Sequence, residues 1–406
     1  MQRGTVLISG SGIAGPALAY WLRRHGFAPT VVERAPAPRP GGQAIDIRGA
    51  ARDVIEKMGL MSVIRAHHTG THGMAYLNSK GKQVATISGA DFGDSGGAIA
   101  DLEILRGDLV RILHNAAGSG TEFSYGDHIT AMTEDPDGVR VRFASGAVRK
   151  FDIVVGADGL RSGVRKLAFG PDTDYVRDLG TYSSYFTAHT DLKLDGWEYL
   201  YNLPSANGVG GRLVMLYPIG DTGEIRAMLT FKSPEFDYDR KDLQSQKEIL
   251  TRIYGDGGWE IPSLLDQLQR TDDLYFARVG AVKVDCWSRG RSVLLGDSAY
   301  GGSLGMGTSM ALVGAYVLAG ELAAANGNHT LAFANYEKGM REFVETNQKR
   351  PPGADSGLTP ASRGGIWMRN NVVKVMTKIP GMNSLMSGGM QESANAIELA
   401  GYGIAA

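Results

Sequence analysis

The hydrophobic pattern at the start of the chain changes period twice. An apolar run over residues 5–9 has the length of a buried strand, and apolar residues at helical spacing follow it. A second apolar run over residues 29–32 then ends on Glu33. Strand, helix and strand in this order predict a βαβ unit, in which both strands run parallel in one sheet.

The same order of elements recurs twice further along the chain. Apolar residues 151–155 lead into a Gly-Ala-Asp-Gly turn, after which Ser162 and Arg165 open a helix. Residues 291–322 contain an apolar run, a Gly-Asp pair, a glycine-rich loop and a long apolar segment. Three strand–turn–helix units predict an open α/β sheet, which binds its ligands at the carboxyl ends of its strands.

Aromatic and β-branched runs replace this pattern in the middle of the chain. Turns rich in Gly, Asn, Asp and Pro separate these runs, which is typical of an antiparallel sheet. The runs cover residues 181–192, 198–204, 211–220 and 224–233, and residues 74–87 have the same character and could join them as a hairpin.

The predicted fold class is α/β, with a Rossmann-like nucleotide-binding domain, an inserted antiparallel β-sheet substrate domain and C-terminal helices. The first domain is expected to be discontinuous, because the runs of the second interrupt it. The expected ranges are 1–70, 98–175 and 275–345 for the first domain, 71–97 and 176–274 for the second, and 346–406 for the helical segment.

Composition excludes several classes of function. The 406 residues are 43% hydrophobic and carry a net charge of −1, which argues against nucleic acid or an anionic membrane as the main partner. Cys286 is the single cysteine, so the chain holds no internal disulfide and no cysteine-rich metal site. We expect a cytoplasmic protein, since no targeting segment or membrane span is evident in the sequence.

Glycines at three fixed positions follow the first predicted strand. Gly10 permits a tight turn, Gly12 leaves room for a pyrophosphate, and Gly15 lets the helix pack closely on the sheet. The loop also contains Ile13 and Ala14, and the free amides at the start of the helix would face the phosphates. Glu33 at the end of the second strand could accept hydrogen bonds from ribose hydroxyls. The spacing predicts an adenine dinucleotide, and NAD, NADP and FAD all present this half.

Two further acids follow predicted strands. Asp158 lies in the second turn, where it could hold a sugar hydroxyl or simply form a good turn with Gly159. Asp297 follows the third strand, and Thr308 is a predicted N-cap that leaves the amides near Gly307 and Thr308 free. A helix start stabilises negative charge, which a reduced flavin carries and a nicotinamide does not.

The three motifs together resemble those of the class A flavoprotein aromatic hydroxylases, the family that includes para-hydroxybenzoate hydroxylase. The similarity is greatest to the branch of tetracycline-modifying and polyketide-tailoring monooxygenases, and it covers most of residues 1–345. By this resemblance the glycine loop binds the pyrophosphate of FAD, and Asp297 holds the ribityl chain. The other cofactor residues that the resemblance implies are Glu33, Arg34, Asp46, Arg48, Arg106 and Asp158.

The resemblance also implies the chemistry. FAD is bound noncovalently in a Rossmann-like FAD-binding domain, and NADPH or NADH reduces it as a transient co-substrate. Oxygen then adds to form a flavin C4a-hydroperoxide, which hydroxylates a phenolic or enolic, polycyclic small molecule of polyketide or antibiotic type. No protein nucleophile is required, and the enzyme is expected to act as a monomer or homodimer.

One departure from the family leaves alternatives open. The family has Gly-Asp-Ala-Ala-His followed by proline, whereas this chain has Gly296-Asp297-Ser298-Ala299-Tyr300 and a shortened, proline-free loop at 301–305. A flavin dehydrogenase or reductase without oxygen insertion is therefore one alternative. The other is a non-redox cyclase or ligand-sequestering protein on the same fold.

The inserted sheet is expected to supply the wall of a substrate pocket, since pockets favour domain interfaces. Single aromatic residues on such strands are more often part of the core. Arg212 could bind an acidic or enolic substrate oxygen, although an arginine at this place is more often a solvated strand end. The candidate pocket residues are Tyr185, Arg212, Met215, Tyr217, Met228 and Leu304.

Overall fold

A computed structural model describes residues 3–38, 41–89, 100, 102–219, 223–349, 357–379 and 391–403. The strands in these ranges are β1 Thr5–Ser9, β2 Ala28–Glu33, β3 Ala44–Asp46, β4 Gly73–Leu77, β5 Gln83–Ser88, β6 Glu103–Leu105, β7 Glu122–Tyr125, β8 Ile129–Asp135, β9 Gly138–Phe143, β10 Val148–Phe151, β11 Ile153–Gly156, β12 Val176–His189, β13 Trp197–Leu203, β14 Arg212–Pro218, β15 Glu224–Lys232, β16 Tyr275–Val282, β17 Ser288–Arg289 and β18 Ser292–Leu294. The helices are α1 Ala14–Arg24, α2 Ala50–Lys57, α3 Met61–Arg65, α4 Arg106–Ala117, α5 Gly163–Ala168, α6 Leu243–Tyr254, α7 Ile261–Arg270, α8 Asp297–Tyr300, α9 Gly307–Ala324, α10 His329–Gln348 and α11 Arg363–Met376.

The predicted parallel sheet is confirmed. Its six strands lie in the order β17-β18-β11-β1-β2-β7, and every neighbouring pair except β17 and β18 is parallel. The central strand β1 pairs with both neighbours, with Leu7 opposite Val154 on one side and Thr30 on the other. β1, β11 and β18 therefore end at one edge, and each of them leads into one of the three predicted turns.

Helix α9 fills the centre of this domain. It is apolar and long enough to cross a membrane, yet 72% of it is buried inside the protein. It packs against α1, where the rings of Trp21 and Tyr316 meet edge to face with centroids 4.9 Å apart. An all-round apolar helix is typical of a core position in a large protein.

The middle of the chain forms a second, seven-stranded sheet in the order β16-β12-β15-β14-β13-β4-β5. Its pairs are antiparallel except for β13 with β4, and the predicted hairpin of residues 74–87 joins it as β4 and β5. β16 also belongs to this sheet, because it pairs along β12. The sheet therefore extends beyond the expected boundary at residue 274, since the pairing with β12, and not the local composition, decides which sheet β16 joins.

The two faces of the seven-stranded sheet have different coverings. One face packs against α6 and α7 in an aromatic core that includes Tyr182, Phe231 and Tyr254. The other face carries a smaller apolar cluster, and Val373 of α11 packs against that cluster. This second face meets the nucleotide-binding domain, since the backbone N–H of Ala44 donates to the Tyr217 hydroxyl at 3.0 Å.

The tightest approach between strand and helix lies at Gly15. A Cβ at this position would lie 2.0 Å from the carbonyl oxygen of Gly10, a distance that no side chain tolerates. We expect Gly15→Ala to lower the free energy of unfolding by about 1–3 kcal/mol or more, since the backbone must move to admit the methyl group. Urea unfolding of the purified protein measures this change.

Gly364→Ala is the matched control for that prediction. A Cβ at Gly364 meets nothing within 4 Å, and the residue lies in the first turn of α11. Alanine should therefore be neutral there, or stabilise the protein by less than about 1 kcal/mol. Equal stability of the Gly15→Ala variant and the wild type would contradict the close packing.

Candidate active site

The glycine loop joins β1 to α1 at the carboxyl edge of the parallel sheet. Gly10 has φ +109°, and a Cβ there would lie 2.4 Å from the carbonyl oxygen of Ala157. Gly12 differs, because a Cβ built there would meet only Nη2 of Arg106, at 3.5 Å, among the described residues outside its own neighbours. Ile13 is the N-cap and Ala14 the first residue of α1. Gly10 and Gly15 are thus required by the protein itself, whereas Gly12 keeps a space open.

Glu33 fixes this loop from the end of β2. Its carboxylate accepts hydrogen bonds from the backbone N–H of Ser11 and of Ala35, each at 2.8 Å. A carboxylate has about four acceptor positions, so it can still bind a hydroxyl group. Arg34, which follows it, is exposed.

Arg106 reaches the loop from a different element. It is the first residue of α4, and its backbone N–H donates to the carbonyl oxygen of Gln43 at 3.0 Å. Its guanidinium lies beside Gly12, and its positive charge lowers the pKa of Asp297 against the larger, opposite effect of burial. Arg106 therefore lies near both the glycine loop and Asp297 of the third motif.

Asp297 combines exposure to solvent with dense protein surroundings. The residue is solvent-accessible, yet the surrounding protein raises the pKa of its carboxyl group by desolvation. A side chain can be both exposed and desolvated when it lines an opening in the protein that is surrounded by many protein atoms. Gly296, with φ +65°, forms the turn that places Asp297 at the start of α8, directly after β18.

The start of α9 faces the same carboxylate. A Cβ at Gly307 would lie 3.8 Å from Oδ1 of Asp297. The prediction that Thr308 is the N-cap is wrong, because Met306 takes that position and α9 begins at Gly307. Threonine is a common N-cap, but here the glycine-rich loop lets the helix begin earlier. The amides of Gly307 and Thr308 still lie in the first turn, where they have no acceptor within the helix.

Asp46 and Arg48 close the opposite side of the loop before α9. Their side chains form an ion pair at 2.7 Å, and the backbone N–H of Arg48 donates to Oγ of Ser309 at 2.9 Å. Oδ2 of Asp46 lies 3.7 Å from a Cβ built on Gly305. Burial raises the pKa of Asp46, while the neighbouring Arg48 lowers it.

The Asp158 carboxylate is held by the protein around it. It accepts hydrogen bonds from the hydroxyls of Ser9 and Ser162 and from the amides of Gly163 and Val164 at 2.8 and 3.2 Å. The Ser298 hydroxyl donates to it at 3.3 Å. Asp158 therefore ties together the ends of β1 and β11 and the starts of α5 and α8, which matches the turn-forming alternative.

Three of the predicted pocket residues lie side by side on neighbouring strands. Tyr185 of β12 is opposite Met228 of β15, and Met228 is opposite Met215 of β14. Tyr217 lies two residues beyond Met215 and so shares the same face, which meets the start of β3 at Ala44. Leu304 is 46% exposed in the loop before α9. The structure thus places the first three side chains in one apolar strip across the second sheet.

Arg212 is not part of this face, and its prediction as a pocket residue is wrong. Its side chain reaches the end of α6, where it is fully buried against the carbonyl oxygen of Ile253. The guanidinium also binds the Asp256 carboxylate at 3.0 Å and the carbonyl oxygen of Pro204, also at 3.0 Å. Arg212 is therefore not a solvated strand end either.

Two buried acids at the site were missed. Glu103 of β6 is 8% exposed and Glu198 of β13 is 4% exposed. Each is the single charged residue of its strand. That signal is visible in the sequence, but only the fold shows that the two strands come together.

The assembled residues suit one long, anionic, two-ended ligand. One end would meet the open space at Gly12 and the start of α1, where free amides favour phosphate groups. The other would meet Asp297 and the start of α9. This donor set fits FAD.

Comparison with known proteins agrees with this geometry. A family model described as "FAD binding domain" matches residues 3–344. A flavin-dependent monooxygenase of Legionella longbeachae is 36% identical over 354 residues, which cover 85% of this chain and 87% of that protein. An uncharacterized protein of Mycobacterium tuberculosis is 42% identical over 349 residues, or 85% of this chain and 91% of its own.

A solved structure also resembles this chain over almost its whole length. The tetracycline destructase Tet(51) is 31% identical, with a TM-score of 0.80 and coverage of 98% of this chain and 99% of its own. These findings confirm the family resemblance of the three motifs, and they resolve the choice among dinucleotides in favour of FAD. The chain belongs to the FAD-binding domain family and is a flavin-dependent monooxygenase, an oxidoreductase that uses FAD.

Proposed function

We propose that this monooxygenase hydroxylates a phenolic or enolic, polycyclic small molecule, with NADPH or NADH as the transient source of electrons. FAD held by these residues would supply the redox chemistry that activates O2 for transfer of one oxygen atom to the substrate. The protein's part is to hold the cofactor, keep water away and place the substrate carbon nearby.

The cofactor residues divide into two groups in this proposal. Gly12, Arg106 and the start of α1 bind the pyrophosphate, and Glu33 binds the adenosine ribose. Asp297 receives the ribityl hydroxyls, and the amides of Gly307 and Thr308 meet the electron-rich edge of the ring. All of these contacts are noncovalent. The sequence contains one dinucleotide fingerprint, which fits a pyridine nucleotide that binds only briefly.

The strip of Tyr185, Met228 and Met215 is the observation that supports a polycyclic substrate. Three adjacent strands present an aromatic ring and two thioethers at the same height, and a flat, rigid substrate can stack on such a surface. Tetracycline destructases supply the analogy for a polycyclic substrate, since Tet(51) and Tet(55) share 31% and 34% of their residues with this chain.

The proline-free loop is fixed by other means, which supports oxygen transfer over the dehydrogenase alternative. Nε2 of Gln348 donates to the carbonyl oxygens of Tyr300 and Gly301 at 2.9 and 3.0 Å. The backbone N–H of Val282 donates to the carbonyl oxygen of Gly301 at 2.9 Å. Gly302 has φ +102° and lies so close to β16 that a Cβ would be 2.5 Å from Ala281. These contacts hold residues 300–302, the first part of the loop, without a proline.

The reaction is tested with isotopically labelled oxygen. Purified protein, FAD and NADPH are incubated under 18O2 with a panel of phenols and polycyclic enols, and the products are analysed by mass spectrometry. We expect one substrate class to stimulate NADPH oxidation and to gain a single labelled oxygen atom. Stimulated oxidation that yields hydrogen peroxide and unlabelled organic product with every compound would favour the reductase alternative.

Gly12→Val tests the pyrophosphate site. The position is open in the protein alone, so the variant should fold with near wild-type stability, but the new side chain occupies the space of the phosphates. We expect FAD loading to be abolished, as measured by fluorescence titration of the apoprotein. The Gly364→Ala variant is the control, and a fully yellow Gly12→Val protein would remove Gly12 from the site.

Asp297→Asn tests the other end of the cofactor. The change keeps the size of the side chain and removes the charge that hydroxyl groups would donate to. Hydrogen bonds to charged groups contribute roughly 1.5–3 kcal/mol, so the FAD dissociation constant should rise about 10- to 100-fold. Asp135→Asn on the exposed strand β8 serves as the matched control. An unchanged dissociation constant in Asp297→Asn would exclude a direct contact.

A further inference from the structure

Glu103 and Glu198 meet where the two domains join. Glu103 belongs to the short ribbon of β3 and β6, and Glu198 belongs to the seven-stranded sheet. Both are more than nine-tenths buried, and their carboxyl groups are in hydrogen-bond contact. Neither residue has a part in the cofactor or substrate contacts proposed above.

A hydrogen bond between two carboxyl groups requires a proton on one of them. Glu103 also accepts a hydrogen bond from the Thr69 hydroxyl, which favours its charged form. Oε2 of Glu198 is buried and has no hydrogen-bond partner among the described residues. A charged carboxylate would be very costly in that setting, so Glu198 is the member that keeps the proton.

The groups around Glu103 and Glu198 also favour protonation of the pair. Asp46 lies directly opposite Glu103 in the ribbon, so the two side chains share one face. Burial, together with the negative charge of Asp46, raises the pKa of Glu103 to about 7. Burial raises the pKa of Glu198 well above its ordinary value. The other polar groups facing the trio are Arg48, Thr69, Thr71, Tyr76 and Tyr217.

We propose that Glu103 and Glu198 form a proton-sharing pair that sets, through Asp46, the charge of the cleft wall and thereby the pH dependence of FAD binding. The inference rests on the FAD placement proposed above. Oδ2 of Asp46 lies 3.7 Å from the position that a Cβ on Gly305 would occupy, and the loop leads from there to Gly307 beside Asp297. When Glu103 loses its proton while Glu198 keeps its own, a second negative charge appears behind Asp46. The wall then repels an anionic dinucleotide.

The pair is a positioning device and contacts neither cofactor nor substrate. Near neutral pH, Glu103 titrates while Glu198 stays neutral, so the wall gains its extra charge as the pH rises from about 6 to about 8. For a charge separation of roughly 10 Å at an effective dielectric constant of about 20, the repulsion corresponds to about tenfold in binding. FAD should therefore bind about ten times more tightly at pH 6 than at pH 8.

The test uses the full chain with Glu103→Gln, Glu198→Gln and the control Glu122→Gln, whose exposed carboxylate pairs with Arg149. The FAD dissociation constant is measured by fluorescence titration at pH 6, 7 and 8. We expect the tenfold weakening in the wild type and in Glu122→Gln, and no weakening in Glu103→Gln. Glu198→Gln should keep the pH dependence, because its amide still donates to Glu103. A flat wild-type profile, or an equal slope in Glu103→Gln, would overturn the proposal.

Two measurements on the apoprotein separate this proposal from the placement of FAD. Infrared difference spectra at pH 7.5 should show the C=O band of a protonated carboxylic acid that Glu198→Gln lacks, and absence of that band in the wild type overturns the pair. The second is thermal unfolding between pH 5 and 8. Glu103 holds a proton in the folded chain that the unfolded chain releases above about pH 4.5, so the melting temperature should fall as pH rises.

That fall should be smaller in Glu103→Gln, since glutamine does not titrate, and an identical fall in both proteins overturns the assignment of Glu103. If the protein bound no FAD at all, these two measurements would still report on the pair. If Glu103→Gln failed to fold, the wild-type titration and the Glu198→Gln spectrum would still decide the question.

Discussion

The close approach between α1 and β1 is the constraint on which the site depends. Gly15 admits the Gly10 carbonyl at a distance that excludes any side chain, and this fixes the direction in which α1 points its free amides. The hydrogen bonds from Ser11 to Glu33 and from Gly10 to Val32 then set the loop against β2. Without that packing the helix start would not face the space beside Gly12, and the electrostatic attraction for a pyrophosphate would be lost.

The start of α9 plays the corresponding part at the other end of the proposed site, because its free amides also attract negative charge. α9 is buried in the core, so its first turn cannot move without disturbing the packing of Trp21 and Tyr316. Gln348 holds the start of the loop before α9, and the backbone N–H of Arg48 binds Ser309 in the first turn of the helix itself. In the proposed placement, rigid elements therefore position both ends of one extended ligand.

Much of this arrangement could be predicted from the sequence, because it follows from local spacing. The three strand–turn–helix units, the antiparallel middle sheet and its added hairpin are as expected, and the glycines have the geometry that their spacing predicts. The wrong or missed predictions concern residues whose position depends on how distant segments pack together. Arg212 adjoins Leu213 of the apolar cluster on the second face of the sheet, so its neighbours in the sequence suggest the wrong surroundings. Only the packing of α6 against the sheet shows that Arg212 binds Asp256. The start of α9 at Gly307 and the meeting of Glu103 with Glu198 likewise depend on contacts between distant segments, which spacing alone does not give.

A crystal structure of the protein with FAD tests the central claim most directly. The account predicts electron density for one extended FAD molecule in the cleft, with its pyrophosphate beside Gly12 and Arg106 and its ring beside the amides of Gly307 and Thr308. Density for FAD at another place, or with its ring away from the start of α9, would contradict it.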